Sequence, residues 1–273
     1  MSLLSSLILL AAQDPSGAAL RRDFSLELAA SWERLTDTVY GFEKRYPLVR
    51  DLAPAAERAR YGAERFAPLL PPPGAAVGDV WRLDIADLLP FLRQLHPGAT
   101  AEMHHDGGFG LAAPGGWACL RVLDGARAEV LLRVHADFLI DGDGTRTTSS
   151  WFTPAQFRGR LVLDRERGEV LAFELGVPAQ SANVDVNIAE EGGISADIGR
   201  VPRMELRGGE FPDYSPAAAQ IEESAAEDLL ARKFYPFAEI EWLDLPSALA
   251  RSKETGKPLH VLALFGSLMD ESC

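Results

Sequence analysis

The chain holds few side chains that do chemistry at neutral pH, with two cysteines and five histidines among 273 residues. Cys273 is the most suggestive of them. It closes the stretch 244–273, which reads as a helix, a buried strand, a short loop and a cysteine preceded by Ser272. A thiol delivered by the loop after a strand is placed for thiol–disulfide exchange, where the thiolate is the attacking species. Cys119, in Trp117-Ala-Cys-Leu-Arg-Val, reads as a small buried apolar residue. A Cys119–Cys273 bridge is the functional alternative, and it depends on a distance that sequence does not supply. Glu102-Met-His104-His105-Asp106-Gly-Gly is the one metal-like cluster. It lacks the helical or paired-cysteine spacing of a metal site and is expected to be a solvated loop. His135, between Arg133 and Asp137, is expected to face solvent from a strand, with a cleft position as the alternative. Asp141-Gly-Asp143-Gly-Thr145 fails as a calcium loop, because Arg146 and Phe152 stand where glycine and glutamate are needed, and it reads as a turn.

Several elements must position these groups. Phe24, Leu28, Trp32, Leu35 and Val39 recur at three- and four-residue steps, so residues 1–74 are expected to form a helical region broken at Tyr46-Pro47 and Ala53-Pro54. Pro71-Pro72-Pro73-Gly74 marks the first boundary. Residues 84–95 predict a short helix, with Pro90 either interrupting it or starting its second half. From Gly116 the period becomes two. Residues 128–140 predict one long, half-buried strand, joined to 117–123 by a turn at Asp124-Gly125. A second hairpin pairs 158–163 with 170–175 near Arg167-Gly168; Val184, Val186 and Ile188 alternate, and 196–206 gives one more strand. Residues 75–213 thus predict a mostly antiparallel sheet of about six strands. Beyond Gly208-Gly209 and Pro212, Ser215-Pro216 is expected to open a helix running through Lys233, with Ile221, Ala225, Leu229 and Leu230 on its apolar face. A strand at 239–243, a helix at 245–255 capped by Asp244 and closed by Gly256, and a buried strand at 259–265 complete a strand–helix–strand unit. The fold class is α+β, ending in the first part of a thioredoxin-like domain over 214–273.

Composition narrows the function. With 47% apolar and 25% charged residues the chain is an ordinary globular protein. A formal net charge of −13 without a basic run argues against a nucleic-acid surface. Twenty-three arginines against four lysines, with Asn183 and Asn187 as the two asparagines, fit a GC-rich bacterial source. Leu3 to Ala12 is apolar but about half the length of a spanning helix and lacks a preceding positive charge, so membrane association or export through it stays open beside a cytoplasmic location.

Together these stretches resemble the selenoprotein N family. The resemblance is carried by Arg65 to Gly74, Leu95-His-Pro97, Trp117-Ala-Cys-Leu120, Arg133-Val-His-Ala-Asp-Phe138 and Trp151 to Phe157. It continues through Asn183-Val-Asp185, Asp197-Ile-Gly199, Pro202 to Leu206, Tyr235-Pro-Phe237 and Leu264 to Cys273. In that family the last stretch continues Ser-Cys-selenocysteine-Gly, so Ser272 and Cys273 fill its first two places. The resemblance implies a thiol/selenol oxidoreductase acting on protein disulfides or a peroxide, with no cofactor and with Cys273 resolving the intermediate on a following selenocysteine. It also implies that residues 1–273 alone are inactive, because UGA would end a conventional reading after Cys273. Phe265 and Leu268 would shape the loop, and Asp270 and Glu271 would disfavour an anion there. Animal members resemble endoplasmic reticulum membrane proteins with an upstream calcium-binding EF-hand, a loop not present in this sequence. The rival reading is a binding or scaffold module presenting Arg133, His135, Asp137 and Asp185, with metal binding by His104, His105 and His135 ranked last.

Overall fold

The computed structural model describes residues 19–100, 115–145, 148–179, 182–213, 218–235, 240 and 242–261. In chain order it begins with strand β1 (Ser25–Trp32), the short helices α1 (Phe42–Arg45) and α2 (Pro47–Arg50), β2 (Arg58–Gly62), α3 (Ala63–Phe66) and β3 (Val80–Leu83). Helix α4 (Ile85–Leu95) and β4 (Ala99–Thr100) follow. The middle runs β5 (Gly115–Leu123), β6 (Arg127–His135), β7 (Asp137–Asp141), β8 (Ser150–Pro154), β9 (Phe157–Asp164) and β10 (Glu169–Gly176). It ends with β11 (Val184–Glu190), β12 (Gly193–Gly199), β13 (Met204–Gly209), β14 (Ala219–Gln220), α5 (Glu223–Phe234) and α6 (Leu245–Thr255).

Among the described residues the strands form two antiparallel sheets. The larger has nine strands in the order β14-β5-β6-β9-β10-β13-β1-β2, with β3 also paired to β5. The smaller has five, in the order β12-β11-β8-β7-β4. Each hairpin has a local cause. At Asp124 the carboxylate accepts from the Ala126 and Arg127 amides at 2.8 and 2.6 Å, which turns β5 into β6. Asp164 holds the β9–β10 turn in the same way, and Gly168 supplies its left-handed residue at φ 64°. One core gathers inward side chains of both sheets and of α4. At its centre Phe91 stacks on Tyr61 with ring centroids 4.7 Å apart and packs on Phe173 at 5.1 Å.

The α+β class and the β-rich middle hold, as do both hairpins. So does α4, which Asp84 caps through the Ala86 amide at 3.0 Å, although the helix runs on through Pro90 without the break expected there. Helix α6 begins at its Asp244 cap and ends at Gly256, whose φ of 66° no β-carbon favours. The helical reading of residues 1–74 is corrected over its described part: β1 and β2 are strands, and the helices there are one turn each. A spacing of four is also two strand periods, so Phe24, Leu28 and Trp32 satisfy both patterns, and pairing to β13 decides between them. The single sheet of about six strands becomes two sheets. The expected strand 128–140 bends at buried Ala136 and passes from one sheet to the other, and 196–206 likewise divides between β12 and β13. Alternation of side chains survives such a crossing, so the period does not reveal it. The helix expected from Ser215 starts at Glu223, after β14; of the expected face Leu230 is buried and Ile221 and Leu229 pack beside it, Ala225 is exposed, and Ala226, Ala231 and Phe234 are buried in addition. Of the strands expected at 239–243 and 259–265, Trp242, Leu243 and 259–261 are irregular, and the remainder lies largely outside the described residues. Among the described residues no helix is long and apolar enough to cross a membrane.

Gln94 ties three segments to the core. Its amide nitrogen donates to the Leu28 and Ala56 carbonyls at 3.0 and 3.2 Å, and its oxygen accepts from the Tyr61 hydroxyl at 2.9 Å. Gln94→Ala removes all three bonds, leaving Tyr61 its second acceptor at the Pro90 carbonyl, and is expected to cost about 2–4 kcal/mol in denaturant unfolding. A loss below about 0.5 kcal/mol would show these bonds to be dispensable.

Candidate functional site

Strand β6 sets the site. Its side chains are buried on both faces from Ala128 to Val134, so those on the outer face, Glu129, Leu131 and Arg133, need partners other than water. Helix α5 supplies some of these. Cys119 and Leu131 meet Ala226 and Leu230 in a small apolar cluster beneath the helix. Glu129 is fully buried and takes two guanidinium groups, Arg121 at 2.5 Å and Arg160 at 2.6 Å, a charge-assisted fork that compensates its desolvation. Arg160 in turn lies 4.8 Å from the Phe211 ring, with Arg207 at 5.8 Å from the same ring. Arg158 pairs with Glu227 of α5 at 2.9 Å. Between helix and sheet lies a cleft of about 300 Å³, bordered by Arg133, Arg158, Arg160, Glu174, Glu205 and Glu227. Burial raises the Glu174 and Glu227 carboxyls above the usual range, against the opposing pull of Arg207 and Arg158 respectively.

At the end of α5 an aromatic and cationic corner forms. Gly115 and Trp117 of β5 stand opposite His135 and Arg133 of β6. The His135 ring stacks on Phe234 with centroids 4.0 Å apart and planes 21° apart, and Tyr235 approaches it edge-on at 6.3 Å. The Arg133 guanidinium lies 5.6 Å from both the Phe234 and the Tyr235 rings, and Lys233 lies 5.8 Å from Trp117. Arg133 Nε donates to His135 Nε2 at 3.2 Å. A guanidinium has no acceptor, so in this contact Nε2 is the lone-pair nitrogen and the imidazole is neutral. Residues far apart in sequence, from 117–120, from 133–138 and Tyr235, therefore come together at one corner.

Past Ala136 the polar row continues onto the small sheet. Thr153 donates to buried Asp137 at 2.7 Å, Asp185 stands opposite Thr153, and Asn187 donates to Asp185 at 2.9 Å. The expected solvated face is therefore corrected at three of its four residues: Arg133 is 2% exposed, Asp137 is fully buried, and His135 is stacked and half-buried, while Asp185 keeps partial exposure. The covering helix, which a strand's own sequence does not announce, is the cause. Phe234 and Lys233 join the site without having been expected there. The signal for Phe234 in the sequence is Phe234-Tyr-Pro-Phe237, three aromatics at a helix end, whose local pattern reads as a terminator.

Other recognisable residues hold the framework. Asn183 donates to the Pro178 and Val201 carbonyls and accepts from the Val201 amide. Asp197 accepts the amides of Tyr40, Phe42 and Ile198, pinning the loop after β1. A β-carbon on Gly199 would lie 2.7 Å from Thr38 and 2.8 Å from Leu35. Asp143 accepts from Thr145 and Thr148, which holds its carboxyl at about 2 and makes 141–145 the turn expected. Cys119 is buried as expected, and burial pushes its thiol up to about 11. Glu102, His104, His105, Phe265, Leu268, Asp270, Glu271, Ser272 and Cys273 lie outside the described residues.

The fold and corner define an α+β protein in which a helix closes over the charged outer face of a large antiparallel sheet. Selenoprotein N of Homo sapiens is 28% identical over 271 residues, covering 81% of this chain and 46% of that protein. Selenoprotein N of Mus musculus and of Danio rerio are also 28% identical, covering 80% and 81% of this chain and 48% of each protein. No family model matches the chain, and no solved structure does. The chain is a relative of selenoprotein N, and it spans about half the length of the curated relatives it matches.

Cys119 is expected to resist a thiol-specific reagent in the folded protein and to react fully only after denaturation. Fast labelling of Cys119 in a Cys273→Ser background under native conditions would contradict its burial. The folded state carries the penalty of a desolvated Glu174 carboxylate at neutral pH and loses it as pH falls through the raised pKa. Glu174→Gln is therefore expected to raise the urea midpoint more at pH 7.5 than at pH 4, and an equal or opposite change would contradict this sign.

Proposed function

We propose that this protein is a thiol/selenol–disulfide oxidoreductase of the selenoprotein N type, with Cys273 as the sulfur half of its redox pair and a selenocysteine encoded next to it as the other half. One observation supports the reading: relatives named selenoprotein N match about four-fifths of the chain; with it goes the resemblance of Ser272-Cys273 to the start of the family's Ser-Cys-selenocysteine stretch. The activity, the substrates and the partners all belong to the proposal, since the chain covers about half of those relatives. The selenolate attacks a substrate disulfide, forming a selenium–sulfur bond and expelling one substrate thiolate. Cys273 then attacks selenium and expels the second thiolate. The substrate gains two electrons, the pair becomes an internal selenenylsulfide, and an external dithiol restores it. The two sheets serve as the rigid body from which the C-terminal segment is presented.

Residues 1–273 without the selenocysteine are expected to reduce insulin disulfides no faster than the Cys273→Ser variant. Robust reduction by these residues, lost in Cys273→Ser, would overturn the pairing, because the thiol alone would then suffice. The codon after Cys273 gives an independent reading: TGA followed by a glycine codon in frame agrees with the proposal, and TAA or TAG contradicts it.

A further inference from the structure

The corner at the end of α5 is built around an imidazole that must be neutral. We propose that His135, with Arg133 and Phe234, forms a pH-sensitive latch that fixes the last turn of α5 on strand β6 and loosens when His135 takes up a proton. The latch stands apart from the redox reading and does not depend on Cys273.

Its basis is geometric. Arg133 and His135 lie two residues apart on one face of β6, and the guanidinium Nε–H donates to His135 Nε2 at 3.2 Å. Protonation replaces that acceptor with an N–H and sets two cations against each other at hydrogen-bond distance. The same two side chains hold Phe234, His135 by stacking at 4.0 Å and Arg133 from 5.6 Å. Phe234 is the last helical residue of α5, and the Tyr235 amide closes that turn on the Ala231 carbonyl at 3.1 Å. The chain leaves the sheet there and goes on to α6, in which no side chain is buried.

The charged and titratable groups around the imidazole come from each element packed on it. Arg133 lies beside it on β6, and Asp137, held by Thr153, follows on β7. From α5 come Lys233, over Trp117, and Tyr235, with Glu227 across the cleft paired to Arg158 on β9. Glu227 also feels Arg133, and its carboxyl titrates above the usual range, so it is the group whose protonation must be separated from that of His135.

Hydrogen exchange of residues 231–235, corrected for the intrinsic pH dependence of exchange, tests this on the whole chain. Exchange is expected to rise as pH falls from 7.5 to 5.5, by up to about tenfold per pH unit, the limit for one linked proton. His135→Asn keeps an acceptor that does not titrate and should hold exchange low and flat. His135→Phe keeps the ring but removes the acceptor and should leave exchange high and flat. Glu227→Gln should retain the wild-type response. A flat wild-type profile, an unchanged response in His135→Asn, or a response abolished by Glu227→Gln would each overturn the proposal. Should the His135 variants not fold, nitrogen chemical shifts of the wild-type imidazole decide it: protonation on Nδ1 alone at pH 7.5 supports the latch, and a proton on Nε2 overturns it.

Discussion

Burial of β6 on both faces is the constraint from which the rest of this structure follows. The strand carries Glu129 and Arg133 on a face that sees no water, and isolated charges there would cost several kcal/mol each. The fold answers each in turn. Glu129 takes Arg121 and Arg160 from the two neighbouring strands, so one carboxylate ties three strands together across the direction of their backbone ladders. Arg133 is covered by the end of α5, whose two aromatic rings meet the guanidinium. Apolar packing of Cys119 and Leu131 against Ala226 and Leu230 lies between these two polar anchors. The helix is therefore held at its middle by burial and an ion pair and at its end by stacked rings.

That arrangement links the sheet to function through position. The corner joins β5, β6 and α5 just where the chain departs toward α6 and its C-terminal cysteine. Many of the residues that carry the likeness to selenoprotein N do structural work elsewhere: Asn183 and Asp197 satisfy loop amides and carbonyls, and Gly199 leaves room for Leu35 and Thr38. Those at the corner differ, because they join elements far apart in sequence and include an imidazole whose neutral form makes the join.

Much of the fold was legible in the sequence wherever the determinant was local. Asp84, Asp124, Asp164, Asp244 and Gly256 each fix a cap or a turn through their own backbone neighbours, and the corresponding hairpins and helices formed where expected. What failed was decided by partners distant in the chain. Leu28 and Trp32 fit a helical face and a strand face equally, and β13 selects the strand. Alternation through Ala136 hid a change of sheet, and His135 and Arg133 looked solvated because nothing in their own strand announces α5. Cys119 was legible as core because its neighbours alternate around it, whereas the chemistry at Cys273 rests on likeness to relatives.

If Arg133 and Phe234 hold α5 to the sheet as a coupled pair, a double-mutant cycle with Arg133→Met and Phe234→Leu measures that coupling directly. Unfolding free energies of the wild type, both single variants and the double variant are expected to give a coupling of about 0.5–1.5 kcal/mol, in the range of buried cation–π and ring contacts. Additivity within about 0.3 kcal/mol would contradict it, leaving the corner as contacts of proximity that do not fix the helix.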